Sequence, residues 1–223
     1  MGKSLLYANG VASAMSNKLI SKDTFNRMVD AKTNVEALAI LQETNFASGL
    51  SIDSPFDFED LTNYETKKFI NFVKNESPEE ELTSFFLLPY DYNNIAGVCK
   101  SIMLNQNELD FVEAEGYYEL SNIKDIITSK NFNRFNNKFI EKCLTEFQDL
   151  ASKKSINGYE VDLIFKTYLF KNLKGIAKNP LVKEIIKMQI DIENISVAMR
   201  CENSFMVEQQ ILKDGQLSLE PTL

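Results

Sequence analysis

Apolar residues recur at three- and four-residue spacing along almost the whole chain, a pattern that predicts helices and gives no convincing strand. Ser21 precedes a short helical segment in which Phe25, Met28 and Val29 share a face. Thr33 and Glu36 read as a capping box, where each side chain satisfies a backbone N–H left free at a helix start. Val35, Leu38, Ile40 and Leu41 then supply that helix with a stripe to bury. Asp57 or Asp60 starts a helix carrying Leu61, Tyr64, Phe69, Phe72 and Val73. Ser77-Pro78, with Glu80 following, marks another N-terminus, because proline at the first helical position gives up no hydrogen bond.

Pro89 interrupts the apolar run Phe85-Phe86-Leu87-Leu88, and its ring should end or kink the helix near Leu88. A second long helix is expected from Tyr90 to Leu104, followed by a polar connector over residues 105–120. Further helices are expected at 121–130, 133–154, 158–177 and 181–201, the last opened by Asn179-Pro180. The predicted fold class is all-α.

The chain also resembles itself. YDYNNIAGVCKS begins at Tyr90 and IDIENISVAMRC at Ile190, an offset of 100 residues. Asp91 matches Asp191, Asn94 matches Asn194, Ile95 matches Ile195, and Lys100 matches Arg200. Upstream, Leu82, Phe85, Phe86 and Leu88 match Val182, Ile185, Ile186 and Met188 at the same offset. Downstream, Glu115-Gly116 with Leu120 matches Asp214-Gly215 with Leu219 at an offset of 99. So many matches in register indicate duplicated helical units.

On a helix, Asp91 and Asn94 face the same way, with Ile95 and Val98 beside them, and Asp191, Asn194, Ile195 and Ala198 repeat the arrangement. Lys100 and Arg200 point to the other side. A polar pair set in an apolar stripe must be hydrogen-bonded, since an unpaired buried carboxylate is very costly. Either the pair ties its helix to the backbone or cap of a neighbour, or it lines a shared cavity or a partner-docking surface. Tyr90, Tyr92, Tyr117 and Tyr118 read as packing or rim residues.

Composition narrows the chemistry. The 223 residues hold 32 acidic and 24 basic side chains, a formal charge of -8, which disfavours nucleic acid as a partner. With no histidine there is no imidazole base, His-based triad or His-containing zinc site. Cys99, Cys143 and Cys201 are far apart and form no CxxC pair, so they are expected to be reduced and packed as small apolar residues. No phosphate-binding GxxxxGK(S/T) occurs, and no run approaches the roughly 18 apolar residues of a membrane span. No catalytic residue, cofactor or metal is expected.

Two helix-borne repeats ending in Asp-x-x-Asn-Ile and a basic residue resemble the C subunit of V-type and A-type rotary ATPases, called the d subunit in eukaryotes. The stretch YANGVASAMSNKLISKDTFNRMVDAKTNVEALAILQETNF is similar to that family's opening: a Tyr-led helix, a short helix, then a helix ending at a tight turn. The resemblance implies repeated multi-helix units with pseudo-symmetry around a concave centre. It implies a non-catalytic central-stalk coupling subunit of an ATP-driven ion pump, a socket between the rotor shaft and the membrane ring. Its partners would be the rotor-shaft and ring subunits, and its place the cytoplasmic face of the membrane, held there without a span of its own.

Family members carry three such units, so the two seen here imply a chain truncated before the third. The organisation expected is a first unit over 1–104, a connector over 105–120, a second unit over 121–204, and the start of a third unit or a tail over 205–223. In this frame Asp91, Asn94, Lys100, Asp191, Asn194 and Arg200 are the repeat-motif polar positions, structural or partner-facing. The competing reading is a generic α-helical repeat adaptor that binds a partner helix in a groove.

Overall fold

A computed structural model describes residues 4–105, 115–153, 156–201 and 204–217, with the side chains of 204–206 excepted. Leu219 and much of the expected connector lie outside the described residues. Among the described residues the regular structure is helical throughout and contains no strand, so the chain is all-α. It divides into two compact units, Met1–Thr83 and Ser84–Leu223, and the division falls inside a helix.

In the first unit, α1 (Leu5–Ser16), α2 (Lys22–Val29) and α3 (Asn34–Gln42) each begin at a hydroxyl side chain. Ser4, Ser21 and Thr33 accept from the backbone N–H groups of Tyr7, Thr24 and Glu36, satisfying donors that the first helical turn leaves open. The Glu36 carboxylate reaches back to the N–H of Lys32, one residue short of a reciprocal box. A 3-10 turn at Pro55–Asp57 leads into α4 (Phe58–Glu76), whose Leu61, Ile70 and Val73 are buried with Ile40 and Ala47. The turn after α3 is tied to α4 by the Ala47 N–H, which donates to Glu65 at 2.7 Å.

The apolar stripes foreseen for α2 and α3 are only partly covered. Phe25, Val29 and Val35 are exposed, and of the stripe on α3 only Ile40 is fully buried. Spacing on one helix assigns a face but does not say whether another element covers it.

α5 runs from Glu80 to Leu104 through Pro89, so the end expected near Leu88 does not occur. The missing N–H costs one ladder bond. Against that, Leu87, Leu88, Tyr92 and Ile95 through Cys99 are buried around it, and this packing keeps the segment helical. The helix also starts at Glu80 rather than at Pro78, because the Ser77 hydroxyl donates to the Glu79 carbonyl in a turn that precedes it.

In the second unit, α6 (Leu120–Ser129) is followed by a 3-10 turn at Phe132–Phe135 and α7 (Lys138–Lys153). The single helix expected over 133–154 is therefore interrupted. Asn136 adopts the left-handed conformation with φ of 49°, and Asn137 caps α7 by accepting from Phe139 and Ile140. Asparagine tolerates that conformation better than most residues and competes with the helix through its side chain. α8 (Gly158–Ile176) begins with a complete capping box of Asn157 and Glu160. α9 (Pro180–Arg200) begins at Asn179-Pro180 as expected, and α10 (Ser204–Gln210) follows.

The core of this unit is filled by Ile95, Val98, Ile123, Phe135, Ile140, Leu144, Val161, Ile186 and Ile190. α8 packs against both α7 and α9. Cys99 and Cys143 are free thiols wholly inside it, and burial pushes Cys99 up to about 12 and Cys143 higher still. Burial likewise raises Tyr118 to about 12 and Tyr92 beyond the range in which a phenol titrates.

These raised values fix the sign of an alkaline response. A thiol or phenol that ionises more readily in the unfolded chain contributes full stability below its unfolded pKa and loses it as pH rises towards the folded value. Urea unfolding should therefore show a stability plateau up to about pH 8.5, where free thiols begin to ionise, and a decline above it. Cys99→Ala should make the decline shallower; a flat profile to pH 11 would contradict the burial. Separately, Pro89→Ala restores a helical donor without moving the core and should raise stability by up to about 3 kcal/mol, read from the urea midpoint.

Candidate functional site

α5 holds Asp91 and Asn94 on its buried side, and neither has any solvent exposure. The Asp91 carboxylate meets the chain as it returns towards α6. The Tyr117 N–H donates to Oδ2 at 3.0 Å, and the Tyr118 N–H donates to Oδ1 at 3.1 Å. Gly116 makes this approach possible, because a Cβ there would lie 2.6 Å from Asp91 Oδ1 and 2.6 Å from the Leu87 carbonyl oxygen. No larger residue fits without moving the helix or the loop.

α9 carries the same device. Asp191 is buried, and its carboxylate accepts from the Gln216 N–H at 2.9 and 3.0 Å and from the Leu217 N–H at 3.1 Å. A Cβ on Gly215 would come within 2.1 Å of Asp191 Oδ1. Asn194 extends the tie: its amide NH₂ donates to the Leu212 carbonyl at 2.9 Å, and its carbonyl accepts from the Leu212 N–H at 2.8 Å. Both polar groups of one backbone residue are thus satisfied by one side chain, as a strand neighbour would satisfy them.

A second pair of contacts also recurs. Ser84 on α5 and Tyr117 share a hydroxyl–hydroxyl hydrogen bond of 3.1 Å. At the matched positions Gln216 donates to Glu184 on α9 at 2.5 Å. Beyond the shared part, Tyr118 donates to the Phe135 carbonyl at 2.6 Å while its ring meets that of Phe135 edge-on. Lys174 pairs with Asp214 at 2.7 Å, and the hydrogen bond from Lys174, the largest effect, holds the Asp214 carboxyl below its ordinary pKa.

Lys100 and Arg200 are not brought into these clamps. Lys100 reaches Asp162 on α8 at 2.5 Å, whereas the Arg200 guanidinium donates to the Ser196 carbonyl of its own helix. Arg200 borders a shallow groove with Asp162, Lys166 and Glu193, in which Lys166 and Glu193 form an ion pair. Tyr92, matched to no polar residue in α9, is buried and accepts from Asn172 of α8 at 3.3 Å.

The motif positions were readable in the sequence, and a tie of Asp and Asn to the backbone or cap of a neighbour was one reading open there, but which backbone groups would serve was not. The donors are backbone N–H groups of the returning chain, which no side-chain pattern announces. Gly116 and Gly215, matched at an offset of 99, were the available signal. In each case the carboxylate fastens a loop to the middle of a long helix. Among the described residues, no group of three or more Cys, Asp or Glu side chains is placed to hold a metal ion.

A family model described as ATP synthase (C/AC39) subunit matches residues 8–222. The C subunit of the V-type sodium ATPase of Enterococcus hirae is 25% identical over 185 residues, covering 82% of this chain and 56% of that protein. The C subunit of the A-type ATP synthase of Thermococcus kodakarensis is 21% identical over an alignment of 240 residues, covering 97% and 63%. The protein of that name from Pyrococcus horikoshii is 23% identical over 225, covering 92% and 58%. The chain thus spans between 56% and 63% of the length of these relatives. No solved structure gives a significant match.

The clamp geometry predicts graded losses of stability. Asn194→Leu strands the N–H and C=O of Leu212 and should cost about 1–3 kcal/mol in urea unfolding. Asp91→Asn turns an amide NH₂ towards one of two backbone donors and should cost a similar amount. Gly215→Ala should cost at least as much as either, whereas Gly10→Ala, where a Cβ meets nothing within 4 Å, should not destabilise. Equal stability across the clamp variants would show that the contacts are not structural.

Proposed function

The chain belongs to the ATP synthase (C/AC39) subunit family, and on that premise we propose that it is part of a non-catalytic subunit of an ATP-driven rotary ion pump of the V or A type. In this reading it acts as a socket: it receives the end of the rotor shaft and rests on the membrane ring, so that torque passes between ATP hydrolysis and proton or sodium movement. The observation that carries the reading is the family match over residues 8–222, nearly the whole chain.

The structure gives the reading a physical basis. Asp91 and Asp191 are buried with their oxygens engaged by backbone donors of the returning chain, which ties loop to helix. A part that carries torque must resist shear between its helices. A carboxylate accepting several N–H bonds away from solvent is a stiff, charge-assisted link. Among the described residues, no helix is long and apolar enough to cross a membrane. A peripheral position on the cytoplasmic face, held through protein contacts with the shaft and ring, accords with that.

The test is reconstitution of the rotary complex with and without the full-length protein that carries this chain. Without it, ATP hydrolysis by the soluble head should continue while ATP-driven ion uptake into vesicles falls to background. Adding the protein back should restore uptake. Ion uptake that is unchanged in its absence, or a purified protein that binds neither shaft nor ring subunits, would overturn the proposal.

A further inference from the structure

Asparagine followed by glycine occurs twice in the chain, at Asn9-Gly10 and at Asn157-Gly158. Such a pair is chemically labile. Glycine has no side chain to keep its backbone nitrogen away from the amide carbon of the asparagine before it. Once deprotonated, that nitrogen can attack Cγ, close a cyclic succinimide and expel ammonia.

The fold treats the two pairs differently. Asn9-Gly10 lies inside α1, where the Gly10 nitrogen belongs to the helical ladder. Asn157 is the N-cap of α8 and Gly158 its first residue, so the Gly158 N–H is one of the donors that a helix start leaves outside the ladder. Both residues are exposed, and a Cβ on Gly158 would meet nothing within 4 Å. Asn157 also borders a surface cavity with Leu150, Leu163 and Gln210, through which water reaches it.

The cap is what holds the reaction back. Asn157 Oδ1 accepts from the Glu160 N–H at 3.0 Å, and the Asn157 N–H donates to the Glu160 carboxylate at 3.1 Å. The Asn157 carbonyl accepts the first ladder bond, from the Val161 N–H at 3.2 Å. Asn157 is extended, with φ of -96° and ψ of 168°, and ring closure needs ψ to turn until the Gly158 nitrogen meets Cγ. That turn releases these three bonds and leaves the ladder beyond them in place. Ile156 and Val161, on either side of the box, are buried in the core, which keeps the opening local.

We propose that Asn157-Gly158 is a modification site, where spontaneous deamidation proceeds through local opening of the α8 cap and, once complete, removes that cap. The Gly158 nitrogen gives its proton to hydroxide and bonds to Cγ; the Cγ–Nδ2 bond breaks, and ammonia leaves with a proton from water. Water then adds to one ring carbonyl and opens the ring. Nothing is oxidised or reduced: an amide and water become a carboxylate and ammonium. Opening at the side-chain carbonyl gives aspartate, which caps as well as asparagine and whose charge suits the positive end of a helix. Opening at the main-chain carbonyl gives isoaspartate, whose backbone runs through Cβ and Cγ. The extra methylene exchanges the carbonyl carbons that the N–H groups of Glu160 and Val161 address, so α8, which packs against α7 and α9, loses its cap.

The test keeps the purified 223-residue chain in mildly alkaline heavy-oxygen water, with and without urea below the unfolding transition, and maps its peptides by mass spectrometry. Residue 157 should gain one heavy oxygen as a mixture of aspartate and isoaspartate. The rate should barely respond to urea, since a local opening exposes little surface. Gly158→Ala, which only fills open space, should slow the reaction roughly tenfold or more. Glu160→Ala, which frees one side of the cap, should speed it a few-fold. The isoaspartyl fraction should melt below the unmodified chain, and Asn157→Asp should melt with the unmodified chain.

Asparagine retained at 157, while a synthetic peptide of residues 152–166 is fully modified, would overturn the proposal. So would a rate that climbs with urea in step with global unfolding, an unchanged rate in Gly158→Ala, or a slower one in Glu160→Ala. An isoaspartyl fraction as stable as the unmodified chain would show that the cap survives and would sink it too.

Discussion

A carboxylate taken out of water must find donors, and here the donors it finds decide the shape of the second unit. Asp91 and Asp191 each sit part-way along a long helix and each collect backbone N–H groups from the chain that returns past them. An unpaired charge in that position would destabilise the fold by more than a typical helix packing contact contributes, so the loop cannot drift away without severe cost. The clamps therefore fix where the chain re-enters the core, and with it the start of α6. Next to that entry point, Tyr118 holds Phe135 by a hydrogen bond and an edge-on ring contact.

Much of the helical layout could be read from local chemistry. Ser21, Thr33 and Asn179 mark true helix starts because a capping side chain acts on donors a few residues away, and the sequence contains all participants. The Asp-x-x-Asn pairs were legible for a related reason: a polar pair inside an apolar stripe needs partners. The failures occur where distant packing outweighs a local rule. Pro89 lacks a donor, but the helix around it buries Leu87, Leu88, Tyr92 and Ile95 on its inner side, and α5 continues. Asn136 looks like any polar helix residue until its backbone turns left-handed and the next asparagine starts a new helix. Phe25, Val29 and Val35 obey helical spacing yet stay exposed, because periodicity names a face without naming what covers it.

The two motif helices differ in a way their sequences conceal. Both use the same Asp and Gly chemistry on one side, and both keep apolar residues on the other. Lys100 finds Asp162, while Arg200 bonds only to its own helix among the described contacts. Identical local codes can thus serve a closed interface in one place and an open one in another.

The intervals within the two clamps are unequal. From Asp91 to Gly116 the chain counts 25 positions, and from Asp191 to Gly215 it counts 24. Since the residues after each aspartate stay helical and Asn194 also holds Leu212, a change of length is cheap only between the end of the motif helix and the gripped part of the returning chain, a doubling of loop length costing only about 0.6 kcal/mol. Across evolution, insertions and deletions should therefore collect between the end of each motif helix and the gripped part of the returning chain, and be purged on either side of that stretch. An aligner that penalises gaps evenly along the chain would misplace the glycine and overlook the kinship of the two halves, although the anchors themselves had never moved.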